Sequence, residues 1–167
     1  MALWGITDAD EAKPKWLTTA QKKEVFANNS GWVVEAGSTM TGNDNADAQP
    51  EVLCCVGDLA TGIGAADITE IEFITTAFDK SDGGNIDVRV RFNEAVTVDT
   101  SGGTPTLSIT NDTPSRNLTA TYLSGSTTNE LIFRKTIAAA NAATNAGDVL
   151  SIAANAMALA SGTIKDT

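Results

Sequence analysis

The residues best equipped for chemistry in this chain are carboxylates. There are 21 Asp and Glu against 11 Lys and Arg, and no histidine at all. Lacking histidine, the chain cannot build Ser-His-Asp or Cys-His nucleophiles, His-ligated zinc, or the commonest general base near neutral pH. Cys54 and Cys55 are adjacent and cannot by themselves complete a four-ligand zinc site. Glycine loops of the kinds that cradle phosphates or dinucleotides do not occur, and the sequence calls for no cofactor and no metal. Carboxylates alone could still support paired acid–base hydrolysis or bind a hard cation. Asp79, Ser81, Asp82, Asn85 and Asp87 offer oxygens at near-alternate spacing around a Gly pair, loosely like a calcium loop. They lack the bidentate Glu that closes an EF-hand loop. Asp-Gly-Gly-Asn between two strands is also what a hairpin turn needs, and the turn is favoured. Asp8, Asp10 and Glu11 read equally well as a solvated charge run. No carboxylate pair stands in an informative motif, so the chain is expected not to be an enzyme.

The bases are fewer and more clustered. Arg89 and Arg91, with Arg134 and Lys135, could form a local basic patch in an otherwise acidic protein of formal charge −10. Cross-strand pairing with Glu70 and Glu72 is the plain explanation, and an acidic partner surface is the alternative. Nine acids and four bases precede residue 67, and twelve and seven follow from there, so the acidity is spread evenly. With no basic face, binding nucleic acid through its phosphates is not expected. No apolar run approaches the length of a membrane span, and the acidic N-terminus lacks the layout of a secretion signal. Assembly in a cytoplasm is the expectation, with Cys54 and Cys55 as buried free thiols.

The element that must position Arg89 and Arg91 is the stretch 86–98. Ile86, Val88, Val90 and Phe92 alternate with Asp87, Arg89, Arg91 and Asn93. This period of two predicts a strand packed on a core from one side and wetted on the other. Further strands are predicted at 68–74, 106–110, 118–123, 130–137 and 149–153, separated by turn signals at 79–85, 101–103, 111–115 and 124–129. Short strands at close spacing argue for an antiparallel β-sandwich. Residues 137–146 and 153–160 are open between a helical turn and a loop.

Before residue 67 the texture differs. Residues 1–17 look extended and carry Trp4, Pro14 and Trp16, either folding back on the chain's core or anchoring in a partner. Thr18 with Gln21 predicts a capping box opening a short helix over 18–27, ended by Asn28, Asn29 and Gly31. Strands over 32–35 and 51–56 would form a hairpin around a long mobile tip, and 58–64 a turn or single helical turn.

The segments VRFNEAVTV (90–98), GTPTLSI (103–109), ATYLSGSTTNELIF (120–133), GDVLSI (147–152) and GTIKD (162–166) appear in the order that identifies a resemblance. Residues 71–166 resemble bacterial immunoglobulin-like repeats found in large surface adhesins and in phage virion proteins. The resemblance implies a Greek-key sandwich without catalytic residues, used for display, spacing or adhesion. WGITDADEAKPKWLT (4–18), GWVVE (31–35) and EVLCCVGDLATGIGAADIT (51–69) look like the start of structural proteins from marine cyanophages, which implies a virion attachment module. Two departures stand out. Lys135 takes a place the family usually gives to an apolar residue. Family members also continue past the TIKD turn into a further strand, so an edge is expected to be open here, filled by a neighbouring subunit or by the N-terminal hairpin.

The sequence therefore predicts a mainly β chain: an attachment module (1–66) made of an extended arm, a short helix and a hairpin, then an immunoglobulin-like antiparallel β-sandwich (67–167). The expected function is that of a non-enzymatic phage virion protein, a capsid decoration protein bound to a major capsid or other virion protein. Self-association, for instance as a trimer, goes with it. Trp4, Pro14, Trp16, Trp32 and Ile164 are the expected partner contacts. The alternative is an adhesion module on a tail or head fibre that binds host glycan through sandwich loops, although those loops are poor in aromatics.

Overall fold

The computed structural model describes residues 13–139 and 144–166. Trp4, Asp8, Asp10 and Glu11 lie outside the described residues, as does part of the Ala-rich stretch 137–146. The chain is mainly β and mostly antiparallel, as expected. Among the described residues the first element is helix α1 (Thr19–Lys23), where Thr18 and Gln21 form the predicted capping box. The helix stops four residues short of the expected end. Val25 and Phe26, β-branched and aromatic, instead open strand β1 (Val25–Asn28), which turns tightly through Asn28–Gly31 into β2 (Gly31–Val34). The residues expected to end a helix therefore make a hairpin turn.

Strand β3 (Glu51–Cys55) pairs antiparallel with β2, giving the predicted hairpin, and α2 (Leu59–Gly62) is the single helical turn that follows. Gly31 shows how tightly this small sheet is built. Its φ is +132°, and an added Cβ would stand 2.1 Å from the Cys54 carbonyl oxygen. Gly31→Ala is expected to cost more than about 1 kcal/mol, read as a lowered urea midpoint. Cys54 and Cys55 are free thiols, but neither is fully buried: on β3, at the edge of its sheet, Cys54 is half-buried and Cys55 exposed.

The larger part is organised by β5 (Gly84–Asp99), a 16-residue strand. Its first half pairs with β4 (Ile68–Phe73) on one side and β8 (Thr128–Ile137) on the other. Its second half pairs with β11 (Thr163–Asp166). From β8 the sheet continues through β7 (Leu118–Ser124) and β6 (Thr106–Asn111) to the short β10 (Met157–Ala158), with β9 (Leu150–Ser151) also on β6. Ile86, Val88, Val90, Leu107, Ile109, Leu131 and Phe133 form the main core. A second, smaller core joins Leu17, Val25, Ala27, Trp32, Val34, Leu59 and Ile63.

Two strand expectations need correction. The TIKD segment is not a turn before an absent strand; it is itself strand β11. The turn comes just before it, where the Gly162 N–H donates to the Leu159 carbonyl at 2.8 Å. The second concerns the wet face of β5. Burial alternates as predicted from Ile86 to Val90, then runs unbroken through Arg91, Phe92, Asn93 and Glu94. Against β8 the register jumps between Arg91 and Val96, and there β1 joins β5 by a parallel bridge, Ala27 to Glu94. The N-terminal hairpin thus covers a face that periodicity assigned to solvent.

Candidate functional site

That covered face holds the most elaborate polar arrangement among the described residues. Arg91 is only 6% exposed. Its Nη2 donates to Glu35 Oε1 at 3.0 Å, its Nη1 to Glu70 Oε2 at 3.0 Å, and its Nε to Glu130. The three carboxylates come from three places: Glu35 just past β2, Glu70 on β4 and Glu130 on β8. Each position follows from local structure. Pairing of β4 and β8 with β5 puts Glu70 and Glu130 directly opposite Arg91. The Glu35 N–H donates to the Glu24 carbonyl at 2.8 Å, continuing the β1–β2 ladder by one rung.

Around this centre the pairing continues. Arg89 donates to Glu72 and lies 3.4 Å from Glu130, while Lys23 of α1 reaches Glu70. The Lys13 ammonium donates to the Lys22 carbonyl at 2.7 Å. The Glu24 carboxylate accepts from the Ser38 hydroxyl. Farther along β5, Arg134 grips Asp87 through two 2.7 Å bonds. Arg89, Arg91 and Arg134 of the possible basic patch are thus paired with cross-strand acids, Glu70 and Glu72 among them. Glu35 and Glu130 are partners that no local pattern marks, since both come from segments distant in the chain.

The electrostatics follow from burial and pairing. Burial pushes the Glu35 carboxyl up to about 7, with the facing Glu130 carboxylate the next largest influence. Burial also favours a neutral Glu70, but the hydrogen bonds from Lys23 and Arg91 outweigh it and hold that carboxyl below its usual range. Burial first, and the Arg91 charge second, lower the Lys13 ammonium to about 8. Arg134 holds Asp87 below its usual range.

An open cleft of about 740 Å³ lies beside the cluster, with Phe26, Pro50, Glu35, Asn129 and Glu130 in its walls. Glu35 and Glu130 are the kind of carboxylate pair that acid–base hydrolysis uses, but guanidinium groups already hold both. Chemically, this arrangement is a joint. It ties α1 and the β1–β2 hairpin to the sheet built on β5.

The predicted partner contacts separate. Trp16 is 58% exposed at the start of the N-terminal part, while Pro14 beside it is buried and accepts a bond from the Leu17 N–H. Trp32 is fully buried in the small core and is no surface anchor; strand pairing on both sides of β2 turns its ring inward. Ile164 on β11 borders an apolar groove of about 400 Å³ with Ile68, Phe92, Val96, Met157 and Leu159. This is where an open edge was expected: β4 and β11 lie on the same side of β5, and each pairs with β5 alone among the described residues. The N-terminal hairpin does not extend that edge; it meets β5 at Glu94. The calcium-like loop is a turn, in which Asp79 Oδ1 accepts the Ser81 N–H at 2.7 Å and the Asp79 carbonyl accepts the Gly83 N–H.

No family model, curated protein or solved structure matches the chain.

Proposed function

We propose that the chain is a non-enzymatic structural protein of a phage virion, a capsid decoration protein whose N-terminal part attaches to a capsid protein and whose β-sandwich is displayed. The observation that carries this reading is the use made of the charged side chains. The groups with the most chemical potential, Glu35, Glu70, Glu130, Arg89 and Arg91, are engaged with one another across the junction of the two parts. A joint of this kind suits a protein that must transmit position rather than turn over a substrate. The exposed Trp16 ring gives the N-terminal part an apolar anchor of the type that dominates binding hot spots. Many copies on a symmetric shell would add avidity to a modest contact. The resemblance of the sequence to virion proteins supports the same reading.

Because Leu17 belongs to the small core, the arm is best tested without removing it. Deletion of residues 1–12 combined with Trp16→Ala is expected to abolish co-sedimentation with empty capsids while leaving a folded protein. Undiminished binding would show that the arm is not the anchor. Reproducible binding to a glycan array would instead promote host adhesion.

A further inference from the structure

The joint has a charge imbalance built into it. Four carboxylates, from Glu35, Glu70, Glu72 and Glu130, directly face three cations, Lys23, Arg89 and Arg91. Further charged side chains act on this group: Lys13, beside Lys22, whose ammonium donates to a backbone carbonyl and whose charge is felt by Glu35, Glu70 and Arg91; Glu24, which accepts from Ser38; and Glu94, buried on β5 where β1 bridges it. Glu35 Oε1 takes the Arg91 bond, but Glu35 Oε2 is buried and receives no hydrogen bond from the described residues. A buried carboxylate oxygen with no donor is costly when ionised, whereas as a hydroxyl it can donate to the facing Glu130. One proton on Glu35 therefore lowers the local negative charge and gives the orphaned oxygen a bond.

We propose that Glu35 and Glu130 form a proton-operated latch between the N-terminal sheet and the β5 sheet, closed when the pair holds one proton and loosened when that proton leaves. The latch does not depend on what the two parts attach to. Loss of the proton leaves two carboxylates facing each other across the joint, and their repulsion acts directly on the β1–β5 bridge and on the mouth of the adjoining cleft.

The sign follows from the raised Glu35 carboxyl. Between the ordinary carboxylate range and about 7 the closed joint holds a proton that the open one releases. Closure is therefore strongest in mild acid and is lost as pH rises through about 7. Lys13 acts in a separate window. Its lowered ammonium favours the closed form increasingly as pH rises from about 8 toward the ordinary lysine range.

Amide hydrogen exchange on the full chain, corrected for intrinsic pH dependence, reads the latch. Opening at Val25–Val34 is expected to increase up to about tenfold per pH unit between about pH 5 and 7, while β6 and β7 stay constant. Glu35→Gln, a neutral mimic of the protonated acid, is expected to keep these amides protected at about pH 8 and abolish the slope. Glu130→Gln should do the same by removing the facing charge. A flat profile in the wild-type chain, an unchanged slope in either variant, or an equal loss of protection across β6 and β7 would overturn the proposal.

Discussion

Replacing Arg91 with methionine is expected to destabilise the protein by about 3–5 kcal/mol, the range for removing one member of a buried ion pair. The loss does not measure how favourable the cluster is. It measures the cost of leaving Glu35, Glu70 and Glu130 facing one another without their shared cation. Methionine keeps much of the stem volume, so a large effect would be electrostatic rather than a cavity. Arg91→Lys should recover only part of the loss, because an ammonium cannot address three carboxylates through a planar fork. Arg134→Ala provides the contrast. Arg134 makes two good bonds to Asp87, but its side chain is over a third exposed and screened by solvent, so its removal should cost far less than that of Arg91. Urea denaturation of the three variants orders them.

The second large effect is expected at Trp32. Trp32→Ala empties the centre of the small core, where the ring packs with Leu17, Val25, Val34, Leu59 and Ile63, and should cost about 3–5 kcal/mol. That core is small enough for the loss to unfold the N-terminal part and uncover the face of β5 at Arg91–Glu94. Trp16→Ala, at the exposed ring, should change stability by about 1 kcal/mol or less. The two tryptophans look alike in the sequence, and these variants separate their roles: one should act on stability, the other on attachment.

How much of this was legible in the sequence depended on the range of the interaction. The capping box at Thr18, the hairpin of β2 and β3 and the alternation from Ile86 to Val90 are local patterns, and each is present. The helix expected over 18–27 ends at Lys23 because strand pairing with Val34 and Val33 decides the conformation of Val25 and Phe26. Arg91 looked like a wetted charge because period two says nothing about what another segment lays over a sheet. Glu35 lies 56 residues away from it. Trp32 is expected to be an anchor because composition marks tryptophan as sticky without saying on which side. The TIKD segment looked like a turn, yet its four residues pair in register with Val96–Asp99.

The same separation in sequence supplies the most direct test of the central claim, that the Arg91 cluster joins the two parts into one unit. All three tryptophans, Trp4, Trp16 and Trp32, precede residue 67, and Tyr122 lies in the larger part. Tryptophan fluorescence therefore follows the N-terminal part in urea, and the strand signal in far-ultraviolet circular dichroism follows mainly the sandwich. At about pH 5.5, with the joint closed, the two transitions should coincide in the wild-type chain and separate in Arg91→Met, fluorescence changing first. Two distinct transitions in the wild-type chain, or coincident ones in Arg91→Met, would contradict it.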